Sequence, residues 1–466
     1  MVATLHSAVC ARAHPLFPEI TGDLDASYDV PAPRYTSYPT VPEWSLAFGP
    51  EDYAANLARA GAARAQGPLS LYVHIPFCKE MCAYCGCNVV ITRDRAKADP
   101  YLDHVEREIA LAVERLGERR RCSQLHLGGG TPTFLDEMQL LRLWRALSRF
   151  SFTDDAELAV EVDPVVTTRE QITLLRQLGF NRLSMGVQDF DPEVQRAVHR
   201  VQTVEQTGDL IEHARALGFR GINLDLIYGL PLQRTEGWAR TLGRVLELRP
   251  DRVAVYSFAY VPDVRPHQRR IAPESLPQGA AKLDLFRMAY ESFVTAGYQP
   301  IGMDHFAQPD DELALAQQRR TLSRNFQGYT VKSAADSVAF GATGISDVAG
   351  AYAQSTRPLP RYYAAIDAGR FATERGIRLS DDDRRRRAVI TQIMCNFWVD
   401  LGEDGATAFS RELDDLRALE REGLLRIHGT EIELSALGRI FVRNVAMVFD
   451  SYLRLAAKRP AFSRTV

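Results

Sequence analysis

Four of the seven cysteines in this chain, Cys78, Cys82, Cys85 and Cys87, stand within ten residues of one another. Their spacing is C-x3-C-x2-C with one more cysteine two residues on, directly after the apolar run Leu69–Ile75. Thiolates are soft ligands, and three on one loop can hold three irons of a cubane while the fourth iron stays open to an outside ligand. A zinc site on all four cysteines is the competing reading. Structural zinc sites more often pair two separated knuckles, so four thiolates on one short loop fit zinc poorly. Cys10, Cys122 and Cys395 are scattered and read as ordinary thiols.

Other residues with chemical potential recur at the ends of apolar runs. Glu161 follows Leu158–Val160, Gln188 follows Arg182–Val187, and Gly128-Gly129-Gly130 follows Gln124–Leu127. A glycine run also occurs in turns, but glycine at a strand end lets the backbone approach a ligand closely. Asp225 lies inside Ile222–Ile227, where a carboxylate needs a partner; a buried salt bridge is one answer and a ligand hydroxyl another. Tyr72 and His74 are two apart on the run that feeds the cysteines, so a strand places both on one face. A core tyrosine with a satisfied hydroxyl remains the plain alternative for Tyr72.

These residues need elements to hold them. Six β-rich runs, Leu69–Ile75, Gln124–Leu127, Leu158–Val162, Arg182–Val187, Ile222–Ile227 and Arg252–Phe258, alternate with helical patterns. The helical patterns are Tyr101–Leu116, Met138–Phe150, Arg169–Leu178, Val204–Leu217 and Gly237–Leu248. Such alternation implies a parallel sheet with right-handed crossovers. Gly179, Gly218 and Gly297 each follow a helical pattern and precede an aromatic residue, which suits the left-handed position after a helix. The expectation is an α/β fold, a partial (β/α)6 barrel over residues 51–375, with chemistry at the carboxyl ends of the strands. Residues 1–50, rich in Pro and Tyr, form an N-terminal arm. Residues 376–466 form a mostly helical, winged-helix-like C-terminal domain, with helices expected at Ser380–Val399, Ala408–Glu422 and Leu437–Leu455 around a hairpin of Leu424–Ile427 and Glu431–Leu434.

Bulk properties narrow the partners. The 466 residues carry 56 Lys and Arg against 59 Asp and Glu, a formal charge of −3, so no nucleic acid or anionic membrane is called for. Arg119–Arg121 and Arg384–Arg387 read as solvated helix faces. No apolar run approaches the ~20 residues that span a bilayer, and Met1–Pro18 lacks a clear secretory pattern. A cytoplasmic protein with reduced thiols is the simplest reading.

The cysteine loop resembles that of the radical SAM superfamily, which uses S-adenosylmethionine (SAM). More narrowly, the chain is similar to the oxygen-independent coproporphyrinogen III oxidase family. The similarity is carried by Pro33–Pro39, Tyr72–Asn88, Gly128–Thr133, Glu161–Pro164, Asn181–Phe190, Asp225–Pro231, Gly302–Phe306, Asn325–Tyr329, Phe449–Arg454 and Phe462–Arg464. It spans residue 30 to the end.

The resemblance implies one [4Fe–4S] cluster on Cys78, Cys82 and Cys85 and gives Cys87 no ligand role. It assigns Tyr84, Gly129, Gly130, Gln188, Arg200, Asp225 and Ala259 to the cluster-bound SAM. Without it, Arg200 would read as an exposed surface arginine. It assigns Tyr72, Gly128, Glu161 and Ile345 to a second SAM, with Tyr72, His74 and Glu161 as catalytic residues.

The implied reaction removes a hydrogen from a propionate by a 5′-deoxyadenosyl radical and releases CO2 and one electron. Repeated, it turns coproporphyrinogen III into protoporphyrinogen IX in haem biosynthesis. An electron-donor protein such as a flavodoxin or ferredoxin, and a monomer, are implied with it. Charge complementarity nominates Arg34 for a substrate carboxylate. One departure stands out, since Tyr260 follows Ala259 where the family pattern is Tyr-Ala-His. A haem chaperone on this scaffold is the rival, but such paralogues generally lack Cys87 and the Pro33–Pro39 arm. A radical SAM methyltransferase or cyclopropanase is the third reading.

Overall fold

The computed structural model describes residues 17–20, 27–63, 67–332, 334–455, 462 and 464. Most of Met1–Pro18, Cys10 and Ser463 lie outside the described residues. Six strands follow the expected positions: β1 (Leu69–Ile75), β2 (Arg121–Gly129), β3 (Ser151–Val162), β4 (Arg182–Gln188), β5 (Gly221–Tyr228) and β6 (Arg252–Ser257). They pair in that order and all in parallel. Five helices connect or follow them: α1 (Ala98–Leu116), α2 (Glu137–Leu147), α3 (Arg169–Gln177), α4 (Val204–Ala216) and α5 (Thr235–Leu248).

Local chemistry sets these joints. Asp136, Thr168 and Thr203 cap α2, α3 and α4 by accepting from the amides of Gln139, Gln171 and Gln206, whose side chains return the bond. Gly179 and Gly218 end α3 and α4 at φ +98° and +84°, where only glycine is unstrained.

The strands have two unlike faces. Leu69, Leu71, Val73 and Ile75 are fully buried in the main hydrophobic core. The alternate set, Ser70, Tyr72 and His74, shares its face with Gln124, His126 and Gly128 of β2 through the pairs Ser70↔Gln124, Tyr72↔His126 and His74↔Gly128. On β3 to β5 the same inner face carries Glu157, Glu161, Ser184, Asn223 and Asp225. The inner face is therefore polar and the outer face is oily.

The sheet is wider than six strands. β7 (Gln299–Pro300), β8 (His305–Ala307), β9 (Asp336–Phe340), β10 (Ile345–Val348), β11 (Ala351–Ser355) and β12 (Thr373–Arg378) extend it to twelve. β9 runs parallel beside β1, and the others are antiparallel to their neighbours. Periodicity alone missed this extension because several of these strands are only two to five residues long.

β12 crosses residue 375, the expected boundary of the C-terminal region. Beyond it, the helix expected to reach Val399 is Asp381–Asn396. Phe397 turns left-handed at φ +55°, and Trp398–Asp400 becomes a third strand beside the hairpin of Leu425–His428 and Glu431–Leu434. The helix expected over Leu437–Leu455 is three short ones, Ala436–Ile440, Val442–Met447 and Ser451–Leu455. Asp450 makes the last break: its carboxylate accepts from the amides of Tyr452 and Leu453 and from the Tyr35 hydroxyl of the arm. Tyr28, Tyr35 and Tyr38 pack in one hydrophobic cluster with this region.

Two arginine runs differ from the solvated reading. Arg119 is 4% exposed and ion-paired to Asp336, and Arg386 and Arg387 pair with Glu412 and Asp347. Among the described residues no helix is long and apolar enough to cross a membrane.

Candidate active site

The loop after β1 is pinned at both ends. Phe77–Cys78 pairs with Val90–Ile91, the Thr92 amide donates to Cys78 O at 3.0 Å, and the Ala83 amide donates to Val198 O at 2.9 Å. Between these anchors Cys78, Cys82, Cys85 and Cys87 line a cavity of about 640 Å³ at the carboxyl ends of the strands. Gly129, Gly130, Glu161, Asp163, Gln188, Arg200 and Asp225 line it too, and so does Tyr84.

The glycines at the end of β2 are required by close packing. Gly129 sits at φ +115°, and a Cβ there would lie 2.5 Å from the His74 ring. A Cβ on Gly130 would lie 2.8 Å from the Phe77 carbonyl oxygen. A Cβ on Gly128 would meet the Glu161 carboxylate at 2.7 Å.

Behind the glycines runs a chain of hydrogen bonds. His126 Nε2 lies 2.9 Å from Glu161 Oε1, and the Gly129 amide donates to Glu161 Oε2 at 3.1 Å. The Tyr72 ring stacks on His126 with centroids 5.9 Å apart, and its hydroxyl is 3.1 Å from His74 Nδ1. His74 Nε2 is 3.0 Å from the Asn88 carbonyl. Burial holds His74 below the usual imidazole range. The neutral ring then donates from Nε2 to Asn88 and accepts from Tyr72 at Nδ1.

The two carboxylates on the inner face diverge. Burial opposes ionisation of Glu161, but the His126 and Gly129 contacts outweigh it and hold the carboxyl below its usual range. Asp225 has no ion pair among the described residues. It accepts from Asn223 Nδ2 at 2.8 Å and Ser184 Oγ at 3.1 Å. Burial, then the Glu161 charge, push it up to about 6. The buried salt bridge considered for Asp225 is therefore absent among the described residues.

Arg200 donates to Asp163 at 2.9 Å and to the Gly186 carbonyl at 2.7 Å, while its Nε is buried with no partner. Gln188, at φ +66°, also buries an unpartnered Oε1. Unmet hydrogen-bonding groups beside a cavity are what a bound ligand would satisfy.

The donor set suits a cluster better than a lone ion. Among the described residues no three His, Cys, Asp or Glu side chains converge as ligands of one metal ion would. A cubane instead takes each thiolate on a different iron. Burial pushes the Cys78 thiol up to about 12, whereas a hydrogen bond from Cys87 holds the Cys85 thiol below its usual range. Loading iron must displace the Cys78 proton.

The structure thus gathers Cys78, Cys82, Cys85, Tyr84, Gly129, Gly130, Glu161, Gln188, Arg200 and Asp225 around one cavity, with Tyr72, His74 and Gly128 immediately behind it. Ala259 and Ile345 are not among the residues that line this cavity. Ala259 lines a second cavity of about 500 Å³, and Ile345 packs by Trp44, Tyr352 and Leu379. Arg34, nominated for substrate, is ion-paired to Asp304 and lies over the Tyr256 ring. Sequence reasoning missed His126, Asp163, Ser184 and Asn223. Three of these were legible as polar residues on the same strand face as Glu161 and Asp225.

A parallel sheet with a thiol loop and a glycine-rich strand end at one mouth defines a radical SAM protein, and the Radical SAM superfamily model matches residues 72–243. The oxygen-independent coproporphyrinogen III oxidase of Pseudomonas aeruginosa is 44% identical over 454 residues, covering 95% of this chain and 98% of that one. The Escherichia coli protein of that name is 45% identical over 447 residues, covering 94% and 97%. The solved structure of coproporphyrinogen III oxidase from Escherichia coli, described as a radical SAM enzyme, superposes with a TM-score of 0.87 over 90% of this chain and 97% of that one. The chain belongs to the oxygen-independent coproporphyrinogen III oxidase family.

Proposed function

We propose that this protein oxidises coproporphyrinogen III without oxygen, converting two propionate side chains to vinyl groups and giving protoporphyrinogen IX. The observation that carries the reading is the single cavity where the three-cysteine loop meets the Gly129–Gly130 strand end, Gln188, Arg200 and Asp225. The full-length kinship supports the oxidase over the haem chaperone and the methyltransferase.

Cys78, Cys82 and Cys85 would hold a [4Fe–4S] cluster. With SAM on its open iron, that cluster supplies the one-electron chemistry. The protein's own residues bind and orient. Arg200 offers its unpartnered Nε and its charge to the SAM carboxylate. The carbonyls of Gly129 and Gly130 accept from the ammonium. Asp225 and Gln188 accept from the ribose hydroxyls, and Tyr84 packs beside the loop. Glu161, kept ionised by His126 and the Gly129 amide, stays an acceptor throughout. A second SAM would rest on Tyr72, Gly128, Glu161 and Ile345; the registers Tyr72↔Ala339 and Ser337↔Asp347 set Ile345 on the same sheet face as Tyr72. The working state is a cytoplasmic monomer that draws electrons from a flavodoxin or ferredoxin.

The test is an anaerobic assay of cluster-reconstituted protein with reductant, SAM and coproporphyrinogen III. The expected result is CO2 release and a divinyl product. Tight haem binding with no vinyl product would replace this reading with the chaperone.

A further inference from the structure

The second cavity shares Ala259 with the residues that the resemblance assigns to SAM, but none of the cysteines, Gln188, Arg200 or Asp225 lines it. It opens at the same mouth as the cysteine loop, beyond the ends of β5 and β6, and its walls include Phe258, Ala259 and Leu276. Phe258 separates it from the cysteine loop, packing in one small cluster with Ala83, Leu230 and the partly buried Tyr84. Lys282, in the first turn of the helix Ala280–Thr295, reaches into it.

Lys282 is held in place but not neutralised. Its stem lies against Gly229, where a Cβ would come 3.0 Å from the lysine Cε. Gly229 is at φ +85°, a conformation that suits glycine. The ammonium lies 5.7 Å over the Tyr228 ring and 3.5 Å from the Phe258 carbonyl. Among the described residues no carboxylate oxygen comes within ion-pair distance of it. Arg464, the other cation of the lining, is already paired with Asp29 at 2.5 Å. Burial lowers the Lys282 pKa, the direction expected of an amine lacking a full counter-charge.

The cavity thus offers apolar walls and, among the described residues, one cation with no carboxylate in ion-pair contact, Asp29 of the same lining acting on it only through space and being bonded to Arg464. Arm and tail clasp the cavity from outside. Pro31 pairs with Arg464 as an isolated bridge, and the Arg464 carbonyl accepts from Arg443 at 2.6 Å. A carboxylate on an apolar frame satisfies both features.

Building on the function proposed above, we infer that Lys282 binds a propionate carboxylate that is not reacting, anchoring the tetrapyrrole beside the cavity where another propionate is oxidised. Lys282 is then a positioning residue that helps decide which propionate reaches the reacting centre.

The test uses the reconstituted holoenzyme and coproporphyrin III, the oxidised and unreactive form of the substrate, as the binding probe. Lys282→Met keeps the stem and removes the charge. It should raise the coproporphyrin Kd and the coproporphyrinogen KM about tenfold or more, the scale of one charged hydrogen bond. The SAM Kd should not move. Lys282→Arg should recover most of the loss. Lys282→Gln, matched to wild type by circular dichroism, guards against a folding artefact.

If Lys282→Met and Lys282→Gln both bind coproporphyrin like wild type, the inference is wrong. A weakened SAM Kd with unchanged coproporphyrin binding would also overturn it, by assigning the amine to the cosubstrate. Should wild type fail to oxidise coproporphyrinogen while charge removal still weakens coproporphyrin, the anchoring site stands and the proposed reaction falls.

Discussion

The inner face of the barrel is polar at both ends, but the two ends treat polarity differently. At the floor, every cation named here meets a carboxylate. Arg182 pairs with Glu157 at 2.6 Å, and Arg252 grips both oxygens of Asp311 at 3.0 and 2.9 Å. At the mouth, Arg200 Nε and Gln188 Oε1 are buried without partners, Gln188 and Gly129 hold left-handed backbones, and thiols are half-open. A satisfied buried network serves the fold, whereas strain and unmet groups in a cleft mark a ligand site. The same strands therefore carry structure at one end and chemistry at the other.

Substitutions at the two ends should separate these roles. The largest effect is expected from Cys82→Ala at the mouth: loss of cluster absorbance and of all turnover, while the iron-free variant should stay within about 1 kcal/mol of the iron-free wild type in thermal stability. A mutant that still turns over would remove the cluster assignment.

Arg252→Met at the floor should do the reverse. It strands Asp311 in a buried site, so denaturant unfolding should show a loss of about 3–5 kcal/mol. SAM affinity of the folded fraction should stay as in wild type.

Asp225→Asn should behave oppositely to the floor variant. Asp225 titrates near 6 in the folded protein against 3.8 as the reference value. A raised carboxyl contributes stability that is present below pH 3.8 and lost as pH rises through about 6. Replacing it should therefore stabilise the protein at pH 7 by about 1–3 kcal/mol and flatten the stability–pH curve between those values. SAM binding should weaken at the same time. A destabilised Asp225→Asn would place that residue with the floor.

The smallest effect belongs to the surface. Breaking the exposed pair Arg244–Glu247, at 2.8 Å, should leave the denaturant midpoint indistinguishable from wild type.

The six parallel strands were legible because each apolar run is punctuated by a glycine or a capping residue, as at Thr168 and Gly179. The cysteine loop was legible from spacing alone. β9 was not, because Asp336–Phe340 joins β1 from far along the chain and no local signal records that pairing. His126 was passed over because a histidine between two leucines reads as core until the register with Tyr72 puts it on the inner face. Arg119 was misread as solvated because its partner, Asp336, is 217 residues away. The roles of Ala259 and Ile345 came from kinship, because neither an alanine nor an isoleucine carries a chemical signal of its own.

The central claim is that three thiolates at the mouth leave one iron open to SAM. Electron paramagnetic resonance of the reduced, reconstituted protein tests it directly, recorded with and without SAM. The account predicts a [4Fe–4S] signal whose g-values shift when SAM is added. A signal indifferent to saturating SAM, or a protein that takes up zinc in place of iron at the same cysteines, would contradict it.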